Sequence, residues 1–316
     1  MDDSCTRYRV GPAHRGWRLD RFLQLQVPRL SRTEIQRAIV ERVRVERLRR
    51  PRPSSRLVPG DRIVFRYPDL PEDDGALREV RLPTLYEDDQ LLAVSKPSGI
   101  VVHPNNRSRR GSLLGLLRER HADGDTLTLA HRLDRETSGV TLLAKGPEIA
   151  RRLHRAFLER RVVKRYLALV EGEVQGTRGV LDFPMSPGRE VLMRVRQKID
   201  LEEGARAVTR FRVRARVPDF TLLELRPITG RQHQIRVHLR EIGHPIVGDK
   251  LYGPDPRFHL RHLEGRLGAT DWARLRTARQ QLHAVSLGLE HPLTGARLLI
   301  RARLPGDMRE FLRSVS

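Results

Sequence analysis

From residue 84 onward the sequence returns again and again to short strand-like runs: "QLLAVSK", "LTLA", "VTLLAK", "VVKRYLALVEG", "AVTRFRVRARV", "FTLLELRPI", "HAVSLGLEHP" and "ARLLIRARLP". Apolar residues in alternation, or in short unbroken runs bounded by turn residues, mark strands with one or both faces buried. Helical spacing appears between them near 111 to 121, 148 to 160 and 230 to 242. A parallel doubly wound sheet places a helix between successive strands, so many strands with few helices imply a mixed α+β fold.

Ahead of this region, residues 17 to 67 read as a smaller unit of two short helices and a few strands. Leu19, Phe22 and Leu23 share one helical face. Ser31 and Glu34 have the spacing of a capping box for a second helix whose apolar side is Ile35, Ala38 and Ile39. Its opposite side is basic, through Arg32 and Arg37. Gly60 and Asp61 mark a turn before "RIVFRY", which alternates like an edge strand. The stretch 68 to 83, "PDLPEDDGALREVRLP", is rich in proline and acid without a period and is expected to be a linker. That leaves 84 to 316 for the larger domain.

Sixty-one Lys plus Arg stand against 39 Asp plus Glu, a formal charge of +22 on 316 residues. Such a balance suits a partner that is a polyanion, nucleic acid first. Five of the basic residues are Lys, a ratio that codon usage would also produce, but exchanging Lys for Arg creates no net charge. The single cysteine, Cys5, forms no intrachain disulfide and supports no cysteine-based zinc site. With no secretory pattern in "MDDSCTRYRV" and no apolar run of about 18 residues, the expected location is the cytoplasm, away from membranes.

The densest polar segment is "AHRLDRETSG", Ala130 to Gly139, a loop between two expected strands. Loops held by a rigid sheet often carry reactive groups. Asp134 stands there between Arg132 and Arg135, and a nearby guanidinium favours its ionised form. It is a candidate nucleophile or base, to be weighed against a simple ion pair in a loop. Glu136 does not complete the spacing of a two-carboxylate hydrolase. In "LLELRPITGRQHQIRVHLREIGHPIVGDKLYG", Thr229 and Gln232 are expected to cap a helix bearing Ile235 and Leu239. His233 and His238 are five apart, which does not place two metal ligands on one helical face. No phosphate-binding glycine loop is present, so nucleotide-driven and dinucleotide chemistry have no support.

Five segments, "LLAVSKPSGIVVHP", "HRLDRETSG", "KRYLALVEGEV", "ITGRQHQIRVHLREIGHPIVGDKLYG" and "LHAVSLGLEHPLTG", occur in the order and spacing of the RluA family of pseudouridine synthases, which this chain resembles from about residue 84 to its end. The N-terminal unit resembles the small RNA-binding domain named for the fourth small-subunit ribosomal protein. The resemblance implies a mainly antiparallel sheet with a central RNA-binding cleft. It also implies an isomerase that turns uridines of structured RNA into pseudouridine without metal, nucleotide or redox cofactor, as a monomer. Asp134 would take the role of the family's catalytic carboxylate, as nucleophile at the anomeric carbon or as base at the 2′ position. Tyr166 would be the base-stacking ring, Arg236 the partner of the carboxylate, and Arg132 the residue that fills the gap left by a flipped nucleotide. Arg231 and His233 are assigned to RNA phosphate or to the pocket wall, and Arg32 and Arg37 to RNA contacts of the small domain.

Two departures stand out. Arg42 and Glu46-Arg47 replace the Gly and Asn-Gly turn positions of the small domain, and residues 253 to 281 form a long insertion expected to be helical from Trp272 to Gln281. Large-subunit ribosomal RNA is the expected substrate, with transfer RNA as an alternative. Other readings are a catalytically idle RNA-binding or assembly protein, and a DNA-binding regulator, for which no recognition helix is visible.

Overall fold

Leu19, Phe22 and Leu23 on one helix and Ile35 and Ile39 on the next are all nearly inaccessible to solvent, packed with Ile63 and Phe65 in one core. This is the first of two compact units of the computed structural model, Met1–Asp74 and Gly75–Ser316. The structure describes residues 5–26, 32–66, 79–103, 112–122, 124–188, 196–255, 257–263 and 265–315.

The first unit runs β1 (Cys5–Arg9), α1 (Leu19–Gln26), α2 (Arg32–Arg42), β2 (Val43–Val45) and β3 (Arg62–Arg66). Its sheet has the order β1-β3-β2, all antiparallel. "RIVFR" is therefore central and not an edge, because "CTRYR", which lies outside the expected range 17 to 67, pairs along its outer side. The turn that departs from the family pattern has its own tie: Arg47 donates through Nε and Nη2 to the buried Asp61, which also accepts from the Val58 amide. Arg37 is exposed. The Ser31 to Glu34 capping box and the side chain of Arg32 lie outside the described residues.

The second unit contains β4 (Thr84–Glu87), β5 (Leu91–Lys96), α3 (Leu113–Arg120), β6 (Leu127–Leu129), β7 (Ser138–Lys145), α4 (Pro147–Leu158), β8 (Val163–Glu171), β9 (Arg178–Asp182), β10 (Met185–Pro187), β11 (Gln197–Ile199), β12 (Val208–Val217), β13 (Phe220–Pro227), α5 (Gln234–Glu241), α6 (Arg257–Leu263), α7 (Ala269–Leu275), β14 (Leu282–Glu290), β15 (Arg297–Arg301) and α8 (Gly306–Ser314). The main sheet has the order β4-β5-β7-β14-β8-β13-β12-β9, with β6 beside β7 and β15 beside β14. It is a mixed α+β fold with a mainly antiparallel sheet. Residues 68–78 of the expected linker lie outside the described residues, but Val80 and Leu82 pack against the core of this unit and are not linker.

One contact in the sheet is parallel: His283 opposite Ser138 and Ala284 opposite Gly139, where β14 meets β7. This short seam joins two half-sheets. In the first, α4 covers Leu91, Leu142 and Ala144, while α3 covers Leu92, Val94 and Leu143 on the other face. In the second, Ile235 and Leu239 of α5 pack on Ala168, Leu223 and Leu225, and Phe311 of α8 meets Phe220 from behind. At the seam Gly139 has φ +117°, and a Cβ there would stand 2.2 Å from the Ala284 carbonyl oxygen, so only glycine lets the halves approach.

Two helices differ from expectation. The third helix starts at Gln234, not near 230, and no Thr229–Gln232 box forms. Instead the Thr229 hydroxyl donates to Gln234 Oε1 and accepts from the Val208 amide, while Gln234 Nε2 donates to the Val208 carbonyl and to Thr209. Tertiary hydrogen bonds to β12 thus replace a local cap. In the insertion the helix is Ala269–Leu275 and not Trp272–Gln281. Arg279 to Gln281 are drawn into the core instead, where Arg279 binds Asp307 and the carbonyls of Gln280, Leu282 and Glu136. Among the described residues no helix is long and apolar enough to cross a membrane.

Candidate active site

The loop between β6 and β7 is tied down along its length. Lys96, fully buried at the end of β5, donates to three carbonyl oxygens, those of Pro97 at 2.8 Å, Ile100 at 2.9 Å and Arg135 at 3.0 Å. Burial brings its pKa down to about 7 against the opposing pull of Asp134. The Gly99 amide donates to the same Arg135 oxygen, and Arg135 Nε returns a bond to the Gly99 carbonyl. Further along, Glu136 accepts from Lys250 at 2.8 Å and from the Gln280 amide, and Gln280 Nε2 donates to Thr137. Asp134 is held between these two anchor points.

Its cationic partner does not come from the loop. Arg132 is exposed and Arg135 is turned to Gly99, so the flanking arginines expected to polarise the acid do not. Arg236, on the first turn of α5, donates through Nη1 to Asp134 Oδ2 at 2.9 Å. The rest of the guanidinium is engaged by Asp249: Nε to Oδ2 at 2.7 Å and Nη2 to Oδ1 at 2.9 Å. Asp249 Oδ1 also accepts from the amides of Leu251 and Tyr252. Side-chain exposure grades along this chain, from 0% at Asp249 through 9% at Arg236 to 28% at Asp134. The accessible end is the candidate catalyst.

Electrostatics follow the geometry. Burial alone would raise the Asp134 pKa, but the charge and hydrogen bond of Arg236 outweigh it and hold the carboxyl below its ordinary value. Asp249, buried more deeply, is kept low by the same guanidinium. Burial and then the charge of Asp134 push the Tyr166 phenol upward, so it stays neutral. Tyr166 lies on β8, opposite Ala284 at the seam and Leu225 on the other side, and its ring packs against the cores of both half-sheets.

His233 precedes α5 in the left-handed conformation, φ 56°, which turns its ring back over the site. The Tyr252 hydroxyl accepts from the Gln197 amide at 2.7 Å, so its own hydrogen is free for His233 Nδ1 at 2.9 Å. The imidazole is then the Nε2–H tautomer, with Nε2 3.9 Å from Asp134 Oδ1. Burial, working against the pull of Asp134, lowers its pKa to about 4, so it is neutral. Arg231 is exposed, with Nε on the Arg206 carbonyl at 3.3 Å. Asp134, Tyr166, Arg236 and His233 come together, while Arg132 and Arg231 reach solvent nearby. Asp249, Tyr252 and Lys96 lie in quoted motifs that gave them no role, since their partners are set by the fold and not by spacing.

A relative from Chloroflexus aurantiacus, named as an uncharacterized RNA pseudouridine synthase, is 38% identical across 97% of this chain and 92% of its own. The ribosomal large subunit pseudouridine synthase D of Nitrosomonas europaea is 39% identical across 75% of this chain and 66% of its own. The family described as RNA pseudouridylate synthase matches residues 90–241, a span that includes Asp134, Tyr166 and Arg236. This chain belongs to the RluA family of RNA pseudouridine synthases. Its members are isomerases, and so is this enzyme. Human RNA Pseudouridylate Synthase Domain Containing 4 is a solved structure of this family's fold, 27% identical with a TM-score of 0.57 over 73% of this chain and 92% of its own.

Proposed function

We propose that Asp134 is the carboxylate through which this synthase isomerises uridine, and that its substrate is large-subunit ribosomal RNA. The observation that carries the first part is the chain Asp249–Arg236–Asp134, which ends in an ionised, partly accessible carboxylate whose charge is felt at the Tyr166 phenol. A uridine taken out of its stack would lay its base on that ring. Asp134 then attacks C1′ or removes the 2′ proton. The N1–C1′ bond breaks, the uracil turns, C5 bonds to C1′, and the C5 proton leaves while N1 gains one. In the first route the Asp134–C1′ bond breaks as C5 bonds to C1′, and in the second the proton held by Asp134 returns to C2′ at that step, so in both the carboxylate is released and atoms and charge balance.

The ribosomal assignment draws on two features. The formal charge of +22 suits a large polyanion. The Nitrosomonas relative and one from Yersinia pestis, 34% identical across 97% of this chain, carry the name ribosomal large subunit pseudouridine synthase D. The first unit, with Arg37 exposed on α2, adds RNA contacts in this reading. Pseudouridine mapping of total RNA from deletion cells, complemented with wild type or with Asp134→Asn, tests both parts. Sites in large-subunit RNA should vanish on deletion and return with the wild type alone. Sites confined to other RNAs would overturn the substrate, and return with the Asn variant would overturn the catalyst.

A further inference from the structure

The main sheet has a second face. Side chains alternate along a strand, so Arg165 points away from its neighbour Tyr166 and from the site. α8 covers this back face near Leu169 and Leu222. Beyond it the strands present arginine. Arg210 on β12 stands directly opposite Arg226 on β13, and Arg212 directly opposite Arg178 on β9. One step past the Tyr166–Leu225 pair, the register sets Arg165 beside Arg226. On its other side Arg165 faces Ser286, which faces Arg301 on β15. A row of four arginines, Arg301, Arg165, Arg226 and Arg210, thus crosses five strands, with strands about 5 Å apart.

All six of these arginines are exposed. Two carboxylates lie among them: Glu224, directly opposite Arg212 in the register and 3.8 Å from Arg165 and 3.9 Å from Arg214, and Asp182, one step past Val180 on the same face of β9. Among the described residues no ion pair joins Arg178, Arg210, Arg212, Arg226 or Arg301 to an acid. Like charges set directly opposite on neighbouring strands destabilise a sheet. Two such pairs lie in adjacent rungs, with Glu224 opposite Arg212 offsetting part of one, and a polyanion laid across them removes the remaining cost.

We propose that this back face binds the phosphate backbone of an RNA double helix, apart from the uridine held at Asp134. Guanidinium forks match phosphate oxygens, and a straight row of them suits a backbone ridge. The exposed apolar residues here are Val180 and Leu299, with no aromatic ring on which a single strand would stack its bases. The enzyme would grip a structured RNA at a helix remote from its target nucleotide. The proposal rests on RNA being the substrate and not on which RNA it is.

Its test uses poly(G)·poly(C), a duplex without uridine that no choice of substrate affects. Binding is measured against salt for wild type, for Arg210→Gln/Arg212→Gln/Arg226→Gln, and for a control of equal charge, Arg151→Gln/Arg155→Gln/Arg309→Gln. Each lost phosphate contact lowers the slope of log affinity on log salt by about 0.9. The back-face variant should lose about 2 to 3 from the slope, keep or gain thermal stability as like charges are separated, and differ from the control. Equal slopes in the two variants, whether both fall or neither does, would overturn the proposal. So would a lower melting temperature in the back-face variant, since the arginines would then be structural.

Discussion

Arg236 divides one guanidinium between two carboxylates, with Nη1 on Asp134 at 2.9 Å and Nε and Nη2 on Asp249 at 2.7 and 2.9 Å. The buried Asp249 fixes the fork, and the fork fixes the accessible acid. Asp249→Asn removes the anchoring charge while keeping an acceptor for the Leu251 and Tyr252 amides. The catalytic rate is expected to fall about 10- to 100-fold, or roughly 1.4 to 2.8 kcal/mol of barrier, with little change in RNA affinity. Stability should fall by about 3 kcal/mol, as for a broken buried pair. Single-turnover rates, RNA titration and denaturant unfolding separate these effects. An unchanged rate would show that Asp249 does not position the site.

The acid limb of activity tests the charge balance at Asp134. Burial raises its pKa and Arg236 more than reverses this, so the wild type should stay active down past the ordinary carboxylate range near about 4. Arg236→Met leaves the burial and removes the cation, and the limb should move to higher pH. The same sign governs stability: a carboxyl with a depressed folded pKa stabilises the fold above its unfolded value and loses that contribution as the pH drops through the folded one. Rates measured across pH for both proteins decide it, and coincident acid limbs would contradict the balance.

The seam between the half-sheets supports the site from below. Gly139→Ala puts a Cβ 2.2 Å from the Ala284 oxygen at a backbone angle that alanine rarely adopts. It is expected to cost about 3 kcal/mol or more in strain and displaced pairing. Because Ala284 lies opposite Tyr166, activity should fall with it. Thermal unfolding that matches wild type would show that the seam tolerates separation.

Much of this was legible in the sequence, for physical reasons. The eight strand-like runs are strands because a period of two, or a short apolar run, leaves little other choice once helices are this few. Asp134, Tyr166 and Arg236 were reached through motifs resembling a family, and the structure brings them together. Asp249 was not, because its bond to Arg236 depends on how the loop after α5 folds back, a matter of tertiary path and not of spacing. Reading Arg132 and Arg135 as partners of Asp134 failed for the same reason: neighbours in an extended segment turn their side chains apart. The start of α5 at Gln234 and the central place of "RIVFR" show tertiary bonding and a distant strand overriding local pattern.

The central claim is that Asp134 carries the chemistry. The most direct measurement is single-turnover pseudouridine formation by purified wild type and Asp134→Asn on the RNA that mapping identifies, with binding measured alongside. The account predicts that the Asn variant binds within about threefold of wild type and forms product at least roughly a thousandfold more slowly. An Asn variant that keeps its rate within about tenfold would contradict it.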